Sequence, residues 1–412
     1  MATPKLRFKE FDGDWSFTSF QDLFTFKNGV NASKEQYGSG IKFINVLDII
    51  NNPNGITYES IIGSVDVTSK EIDKNLVKYG DVLFQRSSET REEVGQSNVY
   101  LSEKPVVFGG FVIRGSAQVS YAPLFMNGLL KTDKVRDQIT QLSGGSTRFN
   151  IGQDSLNKVS VFLPSKAEQT KIASFLSTVD EKISQLTQKH DLLSQYKQGM
   201  MQKLFSQQLR FKAEDGSEFG EWEEKKLGEI ASKVGSGSTP RGGAEAYVDD
   251  GIIFIRSQNV NHDQLLLEDI VFIPENTHQK MAGSKVIAND ILLNITGASI
   301  GRSCVVPKNF TEGNVNQHVC IIRTPNDEPK FIQAFLSSKN GQDLIESYQT
   351  GSGREGLNFQ SIRSFDLSMP CLEEQTKIAN FLSAIDQKIE VVAQQIEQAK
   401  TWKKGLLQQM FV

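Results

Sequence analysis

An internal repeat constrains this chain more than any other feature. Residues 164–205 and 370–411 align without a gap at an offset of 206, with 18 identities in 42 positions. Twelve of these identities fall within the 16 positions from Glu168 to Ile183. A shorter echo, LRFK at 6–9 and again at 209–212, precedes each variable half. A period of about 200 residues is far longer than a solenoid unit, so we predict duplication of a whole domain together with its following segment.

Apolar residues recur through both copies of the shared segment at alternating steps of four and three. A spacing of 3.5 residues sustained over several heptads is typical of a coiled coil. The positions that we predict as the helix interface are Ile172, Leu176, Val179, Ile183 and Leu186 in the first copy and Ile378, Leu382, Ile385, Ile389 and Val392 in the second. About 40 residues at 1.5 Å each give a helix roughly 60 Å long.

The helices are predicted to begin after Pro164 and Pro370, and Ser165 with Glu168 fits a capping box. We expect the two helices to pair antiparallel with each other. The alternative is two surface helices that each pack on their own domain. His190, Lys197 and Lys403 interrupt the apolar stripe, and we interpret them as polar residues that set the helix register or extend to solvent.

Outside the repeat, both halves contain short apolar runs that follow turn residues, at 40–44 and 80–84 and again at 251–255 and 289–293. Such runs predict buried strands, and 135–142 and 331–347 are predicted helices. The fold class is therefore α+β, with two mixed α/β domains, two long helices in an antiparallel coiled coil, and an internal pseudo-twofold repeat. The predicted segments are two globular domains at 1–163 and 209–369, a central helix at 164–208 and a C-terminal helix at 370–412.

The loops after these strands are rich in Arg, Asn, Gln, Ser and Gly. Such side chains read base edges or hold phosphates, although ordinary solvated loops have a similar composition. The DNA-binding candidates of the first half are Gln85, Arg86, Ser87, Arg91, Ser146, Thr147, Arg148 and Asn150. Those of the second half are Arg256, Ser257, Gln258, Asn259, Asn294, Thr296, Ser299, Arg302, Asn316, Gln317 and Arg354.

Composition and motifs argue against several other classes of protein. The formal net charge is −4 and no segment is a basic block, so strong DNA binding is expected in an assembled complex rather than from this chain alone. Methyltransferase tetrapeptides and P-loops are missing from the sequence, which predicts a chain without catalytic residues, cofactor or metal. Three scattered cysteines, no apolar run of 18 residues and no apolar leader predict a cytoplasmic protein.

The doubled proline-to-helix entry resembles that of specificity subunits of type I restriction-modification systems. Its residues are Pro164, Glu168, Gln169, Ile172, Ala173 and Leu176, repeated as Pro370, Glu374, Gln375, Ile378, Ala379 and Leu382. The second half also has Gly-Ser-Thr-Pro at 237–240 and glycines at 297 and 301, as in this family. The first half departs from that pattern, because no Thr-Pro follows Gly29 and 85–91 replaces the glycine-bounded loop.

This resemblance implies that each globular half is a target recognition domain for one part of a split double-stranded DNA site. It further implies that the helices set the spacer and dock two methyltransferase subunits, which carry S-adenosylmethionine, and that restriction subunits join the full complex. Two alternatives are a catalytic restriction-modification polypeptide, which the missing motifs disfavour, and a coiled-coil scaffold that binds proteins without DNA specificity.

Overall fold

The computed structural model describes residues 3–349 and 356–412. The chain divides into two compact units. Unit 1 consists of residues 1–188 and 393–412, and unit 2 consists of residues 189–392. Both boundaries fall inside long helices, so each unit contains one globular half and a segment of each helix.

Short strands and helices make up the chain before the first long helix. The strands are β1 (Ser16–Ser19), β2 (Phe24–Asn28), β3 (Tyr37–Ile44), β4 (Ser64–Val65), β5 (Val82–Gln85), β6 (Ser87–Ser88), β7 (Ser97–Val99), β8 (Val107–Phe108), β9 (Val112–Ala117), β10 (Phe149–Asn150) and β11 (Ser160–Leu163). The helices are α1 (Phe20–Leu23), α2 (Val46–Asn51), α3 (Ser69–Asn75), α4 (Pro123–Leu129), α5 (Asp133–Leu142) and α6 (Gln153–Asn157). The first long helix, α7, spans Lys166–Phe205.

The second half repeats this arrangement. Its strands are β12 (Glu223–Lys226), β13 (Lys233–Ser236), β14 (Ile252–Ile255), β15 (Val260–Asn261), β16 (Gln264–Leu265), β17 (Val271–Ile273), β18 (Lys285–Val286), β19 (Ile291–Asn294), β20 (Ser303–Val305), β21 (Gly313–Val315), β22 (Val319–Arg323) and β23 (Asp366–Met369). Its helices are α8 (Leu227–Ile230), α9 (Glu275–Lys280), α10 (Pro329–Ser337), α11 (Lys339–Ser347), α12 (Phe359–Arg363) and the second long helix, α13 (Leu372–Met410).

The sheets of the two units have the same order. Unit 1 has a four-stranded antiparallel sheet in the order β2-β9-β5-β7, and unit 2 has the corresponding order β13-β22-β19-β20. A second sheet, β4-β3-β8, corresponds to the first three strands of the four-stranded sheet β17-β14-β21-β18, and the pairs β3-β8 and β14-β21 are both parallel. The pair β1-β11, which leads into α7, corresponds to β12-β23, which leads into α13. The duplication therefore includes the globular halves, although their sequences have diverged.

Strands β5 and β19 are inner strands of their sheets, which explains the apolar residues at 82–84 and 291–293. Successive side chains of a strand point to opposite faces of its sheet. Accordingly, Leu83 packs in a different apolar core from its neighbours Val82 and Phe84. Leu292 is separated from its own neighbours in the same way. All residues of both strands are buried, as expected for strands covered on both faces.

Within unit 1, the beginning of α7 packs against the end of α13. Asp180 forms an ion pair with Lys403, and one turn away Leu176 and Leu407 both contact the same site at Gly128. Because residue numbers fall on one helix as they rise on the other, the two segments run antiparallel. The rings of Phe175 and Trp402 are 6.1 Å apart.

Within unit 2, the end of α7 packs against the beginning of α13 in the same way. Lys197 Nζ lies 2.6 Å from Asp386 Oδ1. Further along α7, Met201 and Leu204 share one core with Ile378, further back along α13. The predicted antiparallel pairing is therefore confirmed, and Lys197 and Lys403 are the polar positions that form its cross-helix ion pairs. The alternative of helices packed on their own domains also contributes, because residues from the N-terminal part of each helix, among them Ile172 and Ile378, belong to the domain cores.

The repeated segments 6–9 and 209–212, called the lead-in below, contact the start of each long helix. In unit 1, Arg7 donates from Nε and Nη2 to the two carboxylate oxygens of Glu168, each at 2.7 Å, and Trp15 donates to the same carboxylate at 3.4 Å. In unit 2, Arg210 Nη2 donates to Glu374 Oε2 at 2.7 Å, and Trp222 Nε1 donates to that oxygen at 3.1 Å. Both carboxylates are buried, so paired arginines are what burial of the charge requires.

The glutamine that follows each of these glutamates holds a second element. Gln169 accepts from the backbone N–H of Ala122, the N-cap of α4, at 3.0 Å. Gln375 accepts from the backbone N–H of Glu328, the N-cap of α10, at 2.9 Å. The high identity at these positions thus reflects one joint, made twice, between helix and globular half.

Two local predictions differ from the structure. Ser165 accepts from Glu168 N at 3.3 Å, but the Glu168 carboxylate binds Arg7 instead of returning to the cap, so the capping box is half formed. The helix predicted at 331–347 is two helices, α10 and α11, separated at Ser338. The Ser338 hydroxyl accepts from Gly341 N at 3.2 Å and so starts the second helix.

Candidate nucleic-acid interface

The two candidate loops of the first half lie side by side. Strand β6 pairs antiparallel with β10, with Ser87 opposite Asn150 and Ser88 opposite Phe149. The backbone N–H of Ile151 also donates to the carbonyl of Arg86 at 3.0 Å. The segments 86–91 and 144–150, separate in sequence, therefore form one surface.

Three exposed arginines occur on this surface. Arg91 Nε donates to the Thr140 carbonyl at 3.2 Å, and its guanidinium lies 6.0 Å from the ring centre of Phe149. Arg148 is 3.9 Å from the carboxylate of Glu89, and Arg86 makes a long 3.4 Å hydrogen bond to a backbone carbonyl. These contacts are peripheral, so the guanidiniums are available to neutralise phosphates.

Four smaller candidates complete this part of the surface. Ser146, Thr147 and Asn150 are exposed and Ser87 is half-buried. Asn150 Nδ2 donates to the Arg148 carbonyl at 3.1 Å, which fixes the turn between them.

A cleft of about 930 Å³ opens at the same surface of unit 1. Its wall includes Gln85, Ser87 and Arg148 from the candidate loops. Large apolar side chains also line it and remain exposed, among them Ile62 at 94% and Phe111 at 68%. A concave site with apolar walls and a few polar groups has the usual composition of a binding site.

Gln85 is the most buried candidate of the first half, with 5% of its surface exposed. Its Nε2 donates to the carbonyl of Ser87 at 2.9 Å. That carbonyl fixes the orientation of the amide, since exchanging the two amide atoms would place two oxygens against each other. The buried Oε1 has no hydrogen-bond partner within the described residues.

The candidate loops of the second half also meet, at the ends of β14, β19 and β21. Asn294 Nδ2 donates to the Ser257 carbonyl at 2.9 Å, and Asn294 N donates to the Arg302 carbonyl at 2.9 Å. The Asn316 N–H donates to the carbonyl of Ile255 at 3.1 Å. The three segments 256–259, 294–302 and 314–318 therefore form one loop cluster in unit 2.

Three candidate asparagines in this cluster are buried: Asn259, Asn294 and Asn316. Asn259 Oδ1 accepts from Arg256 N at 2.9 Å, and its Nδ2 donates to two backbone carbonyls. Asn316 Oδ1 accepts from His318 N at 3.0 Å. These amides hold loop backbone in place, which gives them a structural task whatever else they do.

Other candidates of the second half stand nearer solvent. Gln258 is exposed and donates to Asp269 Oδ2 at 2.6 Å, and Arg256 Nη2 donates to the Asp269 carbonyl at 3.1 Å. Arg302 N donates to the Ser299 carbonyl at 3.2 Å, so both residues belong to one turn. Arg354 lies outside the described residues.

A polar network in unit 2 includes Thr239, which was not among the DNA-binding candidates, and His318, the last residue of the candidate segment 314–318. Thr239 donates to Gln317 Oε1 at 2.6 Å, and Thr296 Oγ1 lies 2.6 Å from His318 Nδ1. The Gly-Ser-Thr-Pro motif gave a signal for Thr239. The loop that contains His318 was visible from its polar composition, but the contact of His318 with Thr296 was not, because Thr296 follows a different strand.

The ten helix positions predicted as an interface are buried or half-buried. Ile172, Leu176 and Val179 belong to the main core of unit 1, and Ile183 packs against it. The corresponding Ile378, Leu382, Ile385 and Ile389 have the same places in unit 2. Leu186 and Val392 are also buried. Contacts with another protein would therefore require other, exposed positions of the helices.

Among residues 3–349 and 356–412, no three His, Cys, Asp or Glu residues are grouped in a way that could hold a metal ion. The helices of this described part include none with the length and hydropathy needed to cross a bilayer.

Comparison with known proteins gives a consistent result over nearly the whole chain. The family model of the type I restriction modification DNA specificity domain matches twice, at residues 12–195 and 220–401. The type I restriction enzyme MjaVIII specificity subunit of Methanocaldococcus jannaschii is 24% identical over 83% of this chain and 80% of its own length. The EcoKI specificity subunit of Escherichia coli K12 is 23% identical over 96% of this chain and 87% of its own length.

Solved structures show the same fold. The S subunit of a type I restriction-modification system from M. genitalium aligns with a TM-score of 0.57 at 18% identity, over 100% of this chain and 99% of that one. A chain from a structural study of the assembly of the type I R-M system aligns with a TM-score of 0.58 at 15% identity, over 96% and 97%. Together with the doubled domain match and the repeated fold, these similarities show that the chain belongs to the type I restriction modification DNA specificity family.

Proposed function

We propose that this chain is the sequence-reading subunit of a type I restriction-modification complex, and that each globular half reads one part of a bipartite DNA site. The internal duplication is the main support for this proposal. Two units of the same topology keep their helix joints nearly unchanged, whereas their strand-end loops have diverged. A protein that reads two different half-sites and meets one kind of partner twice needs this combination.

The DNA contacts are proposed to come from the two loop surfaces. In unit 1, Arg86, Arg91 and Arg148 would neutralise phosphates, while Gln85 and Asn150 have amides suited to base edges. In unit 2, Gln258, Gln317 and Arg302 would contact DNA. Asn259, Asn294 and Asn316 would mainly position the loops, since burial and internal hydrogen bonds occupy them.

The segments 164–208 and 370–412 are proposed as the coiled coil that sets the number of base pairs between the half-sites. The globular segments 1–163 and 209–369 are proposed as the target recognition domains. Two methyltransferase subunits would dock on exposed faces of the helices, and restriction subunits would join the full complex. The partner subunits would carry out methylation and cleavage, so this chain would be non-catalytic and without a cofactor of its own. The chain is also proposed to be cytoplasmic.

The test is co-expression of this chain with its cognate methyltransferase subunit, followed by sequencing of methylated adenines in the host genome. The expected result is methylation of one split motif with a fixed gap. The matched control is the methyltransferase expressed alone, which should give no such motif. An unchanged methylation pattern would favour the protein-binding scaffold instead.

Exchange of one half sharpens this test. Replacing residues 209–369 with those of a relative should alter one half-site and leave the other half-site and the gap unchanged. Altered recognition in both half-sites would contradict the assignment of one half-site to each unit.

A further inference from the structure

We propose that the cleft beside Gln85 binds the edge of a DNA base with an exocyclic amino group, adenine or cytosine, and that the Gln85 carbonyl oxygen is the acceptor. The inference rests on the proposed function and adds the chemistry of one contact. It makes Gln85 a specificity-determining residue of the half-site read by unit 1.

The first observation is the unpaired oxygen. Gln85 lines the cleft, its Nε2 is held by the Ser87 carbonyl, and its Oε1 is buried without a partner in the described residues. A buried acceptor without a donor destabilises a fold, so such groups in folded proteins usually indicate a missing partner. A ligand that brings an N–H group to this oxygen would remove that penalty.

The second observation is the apolar rim of the same cleft. Tyr37, Leu47, Ile62 and Phe111 line it and are between 48% and 94% exposed. Exposed apolar side chains grouped around a concavity indicate a binding site. A nucleic-acid base suits such a rim, because its faces are apolar and its edge is polar.

The third observation is the charge around the cleft. Arg148 lines it, and the exposed Arg86 directly follows Gln85 in sequence. These guanidiniums can neutralise the phosphates that flank a base bound in the cleft. Glu89 and Glu93 also line the cleft, and like Gln85 Oε1 their carboxylates accept hydrogen bonds.

These acceptors select among the bases. In the major groove, adenine and cytosine present amino donors, whereas the O6 of guanine and the O4 of thymine are acceptors. Guanine or thymine would place a carbonyl oxygen against Gln85 Oε1, which is repulsive. The predicted preference is therefore for an amino-bearing base at one position.

The equivalent residue in unit 2 gives a useful contrast. Asn294 ends β19 as Gln85 ends β5, and its Oδ1 is also buried without a hydrogen-bond partner among residues 3–349 and 356–412. Its Nδ2, however, donates to two carbonyls, of Ser257 and Val260, and its side chain is fully buried. The shorter asparagine is committed to the loop, so the inference is confined to unit 1.

The test uses the chain assembled with its cognate methyltransferase subunit and duplexes that contain its methylated motif. Each adenine in the half-site read by unit 1 is replaced in turn by purine, and each cytosine by 2-pyrimidinone, which removes a single amino group. We expect one position at which this removal weakens binding about tenfold. Gln85→Met should abolish the effect at that position, whereas Gln21→Met, an exposed glutamine outside the cleft, should preserve it.

Several results would overturn the inference. One is a folded Gln85→Met variant, with an unchanged thermal midpoint, that discriminates as the wild type does. Another is loss of the methyltransferase subunit from this variant with sequence preference retained, which would assign the cleft to a protein partner. If the variant does not fold, the wild-type scan decides, and a half-site insensitive to every amino removal contradicts the inference. A complex without any sequence preference would instead contradict the proposed function.

Discussion

The ammonium of Lys197 lies 2.6 Å from the carboxylate of Asp386 and so joins the two long helices within unit 2. It also lies 2.7 Å from the carboxylate of Asp263, and 12% of the lysine side chain is exposed. Burial by itself would raise the pKa of Asp263, but the charge and hydrogen bond of Lys197, together with hydrogen bonds from Gln333 and Ser337, outweigh burial and hold that pKa below its usual range. One lysine thus compensates two carboxylates at a polar position of the helix stripe.

Replacing Lys197 should therefore lower the free energy of unfolding. Lys197→Met leaves two half-buried carboxylates facing each other, and we expect a loss of about 3 kcal/mol in the free energy of unfolding. Urea unfolding at pH 7 measures it. The control is Lys400→Met, which removes an exposed ion pair with Glu397 and should cost less than about 1 kcal/mol. Equal losses in the two variants would contradict the role of Lys197.

The lead-in arginines, Arg7 and Arg210, should also stabilise the fold, because each neutralises a buried carboxylate. Arg210→Met leaves the fully buried Glu374 without the arginine that balances its charge, so the free energy of unfolding should fall by about 3 kcal/mol. Arg7→Met should have a similar effect through Glu168. The control Lys212→Met removes an exposed pair with Glu218 and should be nearly neutral. If Arg210→Met left the free energy of unfolding unchanged, the lead-in would not stabilise the start of α13.

Because the pKa of Lys131 is lowered, we expect the free energy of unfolding to depend on pH in the alkaline range. Burial and, secondarily, the Lys403 charge lower its pKa to about 8, below the value of about 10.5 in an unfolded chain. The unfolded state then binds more protons between pH 8 and pH 10.5, so this residue makes stability rise with pH across that range. Lys131→Met should remove this rise, by up to about 3 kcal/mol.

Chemical unfolding of the wild type and of Lys131→Met at pH 7, 8, 9 and 10 measures this rise. The difference between the two proteins should move in favour of the wild type as pH increases. A difference that does not vary with pH would show that Lys131 titrates normally. Lys134→Met, an exposed lysine in α5, serves as the control.

The arginines of unit 1 should control the strength and salt dependence of DNA binding. Removing Arg86, Arg91 and Arg148 together by alanine substitution should weaken binding by the assembled complex at least tenfold. The slope of log affinity against log salt should become shallower by about one for each phosphate that is no longer neutralised. Lys34→Ala, an exposed cation outside the candidate loops, is the control. An unchanged slope would place the phosphate-binding residues elsewhere.

The sequence determined the duplication, the two long helices and the strand-rich nature of both halves. Helix periodicity and short apolar runs are local patterns, and 18 identities at a constant offset are visible without any knowledge of the fold. The candidate loops were likewise visible from their composition, because polar and glycine-rich segments follow apolar strands.

The tertiary structure decided what those residues touch. Glu168 suggested a cap, yet it binds Arg7, 161 positions away, because a buried carboxylate takes the strongest donor within reach. The meeting of 86–91 with 144–150, the burial of Asn259 and the unpaired oxygen of Gln85 also depend on strands from distant parts of the chain. Local sequence cannot encode such contacts residue by residue, since they arise from the packing of whole sheets. The duplication is thus visible in the sequence, whereas the contacts at the helix starts and the cleft of unit 1 depend on the tertiary structure.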